Sequence, residues 1–275
     1  NAVAYLAGAV GALAGGGPAL IREQIPNLPT DQRWLLVLTI AGAACVALTR
    51  RLSPAIDARA GRSTAPLRRS RKEVSRLALL FGLDAFAGGF VVSTFLVFWF
   101  GRRFGASAEL MGLVLFCSGL LQALSSIASG WIATRIGLLT TMVFTHLPSN
   151  VLLILIPVMP TLGSATAMLL LRSTLSQMDV PARQAYVTAL VDPEERTAAA
   201  AFTNTARYVV RPLGAASAGL LMQSVAMGAP FVVAGVLKSV YDVLLFARFR
   251  RVPLPEEHRN GRSGPGTSAG PPAGR

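Results

Sequence analysis

The feature that most limits what this chain can become is a recurrence of apolar stretches about 20 residues long. Wound into a helix at 1.5 Å per residue, such a stretch covers the ~30 Å hydrocarbon core of a bilayer. Eight can be read, at roughly 1–21, 34–50, 76–99, 108–133, 138–158, 162–190, 198–225 and 229–248. Backbone polar groups in hydrocarbon must bond within their own segment, which predicts an all-α, polytopic membrane helical bundle. Pro181 is expected to interrupt the sixth span, with Arg183 to Val191 continuing it at the interface.

Charge supports that reading and orients it. Charged residues make up 14% of the chain, where a soluble domain carries about 25%. The net charge of +13 would suit a nucleic-acid partner if it lay along one soluble face with interleaved aromatics. Instead the basic residues cluster between apolar spans, the pattern of the positive-inside bias, so no nucleic-acid partner is expected. The connection after the second span holds Arg50, Arg51, Arg59, Arg62, Arg68, Arg69, Arg71, Lys72 and Arg76. Taking this side as cytoplasmic puts Arg135, Arg183, Arg196 and the Arg-rich C-terminus with it, leaving Arg22, Arg33, Arg102 and Arg103 outside. The expected product is a multi-pass protein of the cell (plasma or inner) membrane with a cytoplasmic C-terminus.

Two segments break the apolar pattern. Residues 51–75 are polar and basic with Pro54 and Pro66, and read as a cytoplasmic linker between a 1–50 unit and a 76–251 unit. Residues 252–275 are Gly, Pro, Ser and Arg with little to bury, and read as a disordered cytoplasmic tail. Cys45 and Cys117 lie within apolar spans as small hydrophobes, with neither disulfide nor metal spacing. No Ser/His/Asp or Cys/His arrangement can be read, so no catalytic residue, enzyme activity or bound cofactor is expected.

The chain also echoes itself. Asn1, Tyr5, Gly11, Ala12 and Gly16 recur at one fixed offset as Asn204, Tyr208, Gly214, Ala215 and Gly219. Parallel repetition of a multi-helix half is how one large class of membrane transporters is built.

Two spans, a basic loop and six more spans resemble the back end of a twelve-helix transporter of the major facilitator superfamily. Gly130-Trp-Ile-Ala-Thr134-Arg135-Ile-Gly137 resembles that family's short cytoplasmic loop, with Thr134 in place of its Asp and Leu138 and Leu139 in place of its basic pair. Pro181-Ala-Arg183-Gln-Ala-Tyr186 followed by Asp192-Pro-Glu194-Glu195-Arg196 resembles the approach to its eleventh helix. Gly11-Ala12-Leu-Ala-Gly15-Gly16 is similar to the helix-five motif of its antiporters, without their proline. The resemblance implies that the first span is helix five and the seventh helix eleven, so that 1–50 ends the N-terminal half and 76–251 is the C-terminal half. Helices one to four are then expected ahead of Asn1. The implied function is alternating-access transport of a small solute by a monomer in the lipid bilayer, coupled to H+ and without ATP or cofactor. Efflux of drug-like compounds is slightly favoured. An anion or sugar-like metabolite transporter and a non-transporting receptor or scaffold are the alternatives.

Ionisable groups at bilayer depth cost several kcal/mol unless paired or wet, so each marks a candidate site. Asp84, Arg172, Arg207 and Arg211 fall inside spans, and Arg207 and Arg211 share a helical face at i, i+4. The resemblance points these toward a central pore, with Asp84 as coupling carboxylate and an arginine pairing with it or gripping an anionic solute; a static ion pair is the alternative. Arg207 lies near enough to a helix end to snorkel. Gln177 is a candidate cavity-lining hydrogen-bonder. Lys238 and Asp242, also i, i+4, are expected to neutralise each other as a structural pair. His146, with Pro148 and Asn150 close by, reads as a satisfied core residue, with a metal or proton site as the alternative.

Overall fold

The computed structural model describes residues 2–24, 36–51 and 66–252. Asn1, Arg33, most of the predicted linker (52–65) and the tail from 253 onward lie outside the described residues. Among those described, the regular elements are helices: α1 (Ala2–Gln24), α2 (Leu36–Thr49), α3 (Arg71–Gly89), α4 (Ser93–Phe104), α5 (Ala108–Ile136), α6 (Leu138–Leu155), α7 (Leu162–Leu175), α8 (Asp179–Leu190), α9 (Arg196–Ser224) and α10 (Ala229–Phe249). Single 3-10 turns at Ile156–Val158 and Pro193–Glu195 follow α6 and α8.

Local chemistry sets several boundaries. Ser107 caps α5 by accepting from the Leu110 N–H, and Thr161 with Ser164 forms a reciprocal capping box on α7. Gly137 separates α5 from α6 at φ +85°, a backbone angle that a side chain resists. The third predicted span is two helices, because the chain leaves helical geometry at Val91 and Val92 between α3 and α4. The sixth is also two, but the break lies at Ser176–Met178 and not at Pro181. Pro181 sits in the first turn of α8, where a proline costs no hydrogen bond.

Arg71–Phe104, Ala108–Ile136, Leu138–Val158 and Ala229–Phe249 are long and apolar enough to cross a membrane; Ala2–Gly15 and Leu36–Thr49 are shorter apolar helices. At 29 residues α9 has the length, but carries Arg207 and Arg211 along it. The outer faces keep large apolar groups such as Leu124, Ile127, Trp131 and Val209 exposed, as a surface solvated by lipid tails requires.

Helices α3 to α10 pack as a bundle in which α3 lies against α9 and α10, α10 against α6, and α5 against α7 and α8. α1 docks on α5, whereas α2 buries none of its residues. The α3–α9 crossing is backbone on backbone. A methyl group on Gly214 would overlap the Phe86 carbonyl, and one on Gly89 would overlap the Arg211 carbonyl. Small residues give such crossings in membranes, where lipid supplies no hydrophobic drive between helices.

Two apolar layers fill the bundle, one around Leu77, Phe81, Met142, Tyr241 and Leu245, the other around Trp99, Phe100, Met111, Leu153 and Phe231. Between them, on α3, α6, α8 and α10, lies a polar layer. At the end where α3 starts, the Glu195 carboxylate accepts from the backbone N–H groups of Arg68 (2.8 Å), Arg69 (2.9 Å) and Ser70 (3.1 Å). Those bonds from Arg68, Arg69 and Ser70 hold its carboxyl down at about 2.

Candidate functional site

The polar layer is assembled by one-turn spacings on four helices. α3 contributes Asp84, α6 contributes His146 and Asn150, α8 contributes Asp179 and Arg183, and α10 contributes Lys238 and Asp242. Within each pair the residues are four apart, so both side chains leave one face. The break at Ser176–Met178 starts α8 with Asp179, an acid in the first turn that suits the positive helix end.

Asp84 is the hub. Its Oδ1 accepts from Lys238 Nζ at 2.5 Å and its Oδ2 from Arg183 NH1 at 3.2 Å. Arg183 also reaches Asp179 at 2.9 Å. His146 stands between two acids, with Nδ1 3.0 Å from Asp242 Oδ1 and Nε2 3.9 Å from Asp84 Oδ1. Asn150 Nδ2 donates to Asp242 Oδ2 at 2.8 Å. Asp84, Asp179, Asp242, Arg183, His146 and Lys238 are all buried. Such a cluster persists in an apolar interior only because each charge has an opposite partner or a hydrogen bond.

The expected Lys238–Asp242 pair does not form. Lys238 turns to Asp84, and Asp242 is held by His146 and Asn150 instead. The helix permits the i, i+4 pair, but neighbouring helices offer each group a buried partner with nothing else to compensate it. Arg183, counted by sequence among the cytoplasmic charges, is likewise buried in the cluster. His146 is a satisfied core residue, buried and bonded to Asp242 at 3.0 Å, with Asp84 3.9 Å from its Nε2.

Of the other candidates, Arg207 approaches the cluster, its NH2 4.0 Å from Asp84 Oδ2. Its Nε is buried without a hydrogen-bond partner, as is the Nε of half-buried Arg172. Arg211 is exposed, with no ion pair among the described residues. Gln177, at the α7–α8 break, accepts a hydrogen bond from Tyr5 of α1 at 2.5 Å. In the loop motif, Arg135 stacks on Trp131 at 3.9 Å, Gly137 makes the positive-φ turn and Gly130 faces open space. Asp179 is the residue that sequence reasoning passed over. Its spacing from Arg183 was visible, yet Pro181 drew attention to an interruption that is not there.

Two cavities open in the bundle, and one of them reaches the cluster at Arg183. One of about 280 Å³ between α3, α8 and α9 is lined by Arg183, Arg207, Asn204 and Thr188 over Phe81 and Val187. One of about 770 Å³ between α1, α4 and α5 is largely apolar, with Ser118 and Gln122 as polar points. Among the described residues, no group of three or more His, Cys, Asp or Glu is placed to hold a metal ion.

The sequence profile of the Major Facilitator Superfamily matches residues 77–272. An uncharacterized membrane protein of Saccharomyces cerevisiae is 26% identical over 175 residues, covering 63% of this chain and 39% of the yeast protein. The chain therefore spans well under half the length of that curated relative. No solved structure matches it.

Proposed function

The chain belongs to the Major Facilitator Superfamily, and on that premise we propose that it forms part of a secondary transporter that moves a small solute by alternating access, coupled to H+ through His146 and Asp242. The observation that carries the coupling is the placement of the imidazole: Nδ1 lies 3.0 Å from Asp242 while Nε2 faces Asp84 at 3.9 Å. Asp84 is clamped by Lys238 and Arg183, so its negative charge is already spoken for. Asp242 has only His146 and Asn150, both neutral unless the imidazole carries a proton. Asp84, Asp179 and Asp242 face Lys238, Arg183 and, at 4.0 Å, Arg207, so one proton on the His146–Asp242 pair changes the net charge of the cluster by one. A rocking movement that shifts Lys238 or Arg207 relative to Asp84 changes that balance and favours uptake or release of the proton.

The transporter is proposed to work as a monomer in the plasma or inner membrane, with its C-terminus cytoplasmic. Proteoliposomes of the intact protein, with a solute found by flux screening, test the coupling. An imposed pH gradient should accelerate wild-type flux. His146→Gln and Asp242→Asn should keep solute exchange at equal pH but lose the acceleration. A full gradient response in both variants refutes the assignment.

Efflux of amphipathic, drug-like compounds is a second reading, supported by the 770 Å³ cavity where Val97, Phe98 and Leu115 surround Ser118 and Gln122. That volume and lining suit a drug-sized ligand. Protection of cells against lipophilic compounds on expression of the intact protein would favour this reading.

A further inference from the structure

We propose that the 280 Å³ cavity between α3, α8 and α9 is a binding site for a small soluble organic anion, held by the guanidinium of Arg207 with the side-chain amide of Asn204. This names a solute class for the proposed transporter and rests on that reading for the solute's passage, although binding can be measured without flux.

The argument starts from which charges are already used. Lys238 and Arg183 take both oxygens of Asp84, and Arg183 also takes Asp179. Arg172 and Arg207 remain, each with a buried Nε that has no hydrogen-bond partner, and of the two it is Arg207 that lines the cavity. Its closest carboxylate oxygen is Asp84 Oδ2 at 4.0 Å, beyond hydrogen-bond range and already bonded to Arg183. Its Nε is buried with no acceptor. The Arg207 side chain is 29% exposed, so its charge is partly hydrated, and an anion entering the cavity offers the acceptor that its Nε lacks.

The cavity supplies room for that partner. Its lining includes Arg207, Arg183 and Asn204 and no carboxylate. Asn204 precedes Arg207 by three residues on α9, so the two side chains share a face. The threonine hydroxyls nearby are spent, Thr188 donating to the Ala185 carbonyl at 2.9 Å and Thr203 to the Ala199 carbonyl at 2.9 Å. Of the side-chain donors in the lining, Arg183 is committed to Asp84 and Asp179, and the Arg207 fork and the Asn204 amide stand beside Gln184. Phe81, Val187 and Ala200 add an apolar wall. A planar guanidinium matches a carboxylate or phosphate in bidentate fashion, and the volume lies at the small end of ligand sites. A cation would meet two arginines here and no acid.

Thermal unfolding of the intact, detergent-purified protein tests this with sodium succinate and sodium phosphate, against sodium chloride at equal ionic strength and tetraphenylphosphonium. Succinate or phosphate should raise Tm saturably and chloride should not. Arg207→Gln should abolish the shift, and Arg207→Lys should leave binding about tenfold weaker. Asn204→Ala, at an exposed position, should weaken it without loss of fold. No saturable shift with either anion overturns the proposal, as does an undiminished shift in Arg207→Gln. A shift that needs added phosphatidylglycerol assigns Arg207 to a lipid headgroup and overturns it too. Because the anion shift is read in detergent without flux, His146→Gln and Asp242→Asn should keep it while losing the pH-gradient response, which separates failure of this site from failure of the coupling assignment.

Discussion

Lys238 donates to Asp84 at 2.5 Å across 154 positions of sequence, from α10 to α3, and leaves Asp242 on its own helix to another partner. The choice follows from burial. Asp84 sits where α3, α6, α8 and α10 meet, and an unpaired carboxylate there would carry its full desolvation cost. Asp242 avoids that cost through His146 and Asn150, one of which can accept a proton.

Removing one member of this pair is expected to hurt more than removing both. Asp84→Asn leaves Lys238 and Arg183 facing an amide and should cost about 3–5 kcal/mol of stability. Asp84→Leu combined with Lys238→Met should cost less than Asp84→Leu alone, because Lys238 is no longer left buried without its carboxylate while Arg183 keeps Asp179. Thermal unfolding of the purified intact protein measures both, and an additive double variant would argue against direct pairing.

The α3–α9 crossing predicts a sharp contrast between glycines on one helix. Gly214→Ala drives a methyl group into the Phe86 carbonyl and is expected to cost about 1–3 kcal/mol or more. Gly219→Ala meets nothing within 4 Å and should stay within about 0.5 kcal/mol of wild type. Comparable melting temperatures for the two variants would contradict the crossing.

Glu195 predicts an acid-sensitive fastening at one end of the bundle. The bonds from Arg68 and Arg69 lower its carboxyl from 4.5 to about 2 in the fold. A lowered folded-state value means the carboxylate contributes fully above about pH 4.5 and loses that contribution as the pH falls toward 2. Glu195→Gln should remove this part of the pH dependence and expose residues 66–70 to protease at neutral pH. Limited proteolysis across pH checks both, and an unchanged profile in the variant would count against the clamp.

Tyr5 and Gln177 form the hydrogen bond that ties α1 to the α7–α8 break. Tyr5→Phe should cost about 0.5–1.5 kcal/mol. Combined with Gln177→Ala, the two changes should couple by at least about 0.5 kcal/mol in a double-mutant cycle. Strict additivity would show that the pair is not bonded.

How far the sequence carried depends on the range of the interaction involved. Of the eight spans read from sequence, the four at Arg71–Phe104, Ala108–Ile136, Leu138–Val158 and Ala229–Phe249 were legible, because a bilayer demands a fixed apolar length that each segment meets or fails by itself. The α7–α8 break was not, since Ser176 to Met178 carry no strong helix-breaking residue, whereas Pro181 does and breaks nothing; the α3–α4 break does follow a weak helix former, Gly88-Gly89 at the end of α3. The candidate site was half legible. Asp84 and Arg207 stood out as charges inside spans, and the structure brings them to 4.0 Å of each other. Arg183 was misplaced because its neighbourhood reads as polar and interfacial. The sequence by itself determined an all-helical membrane protein with buried charge to account for. Only the tertiary structure decided which charge answers which, because in a low-dielectric interior a carboxylate pairs with whatever cation the packed helices bring nearest, not with the one nearest along the chain.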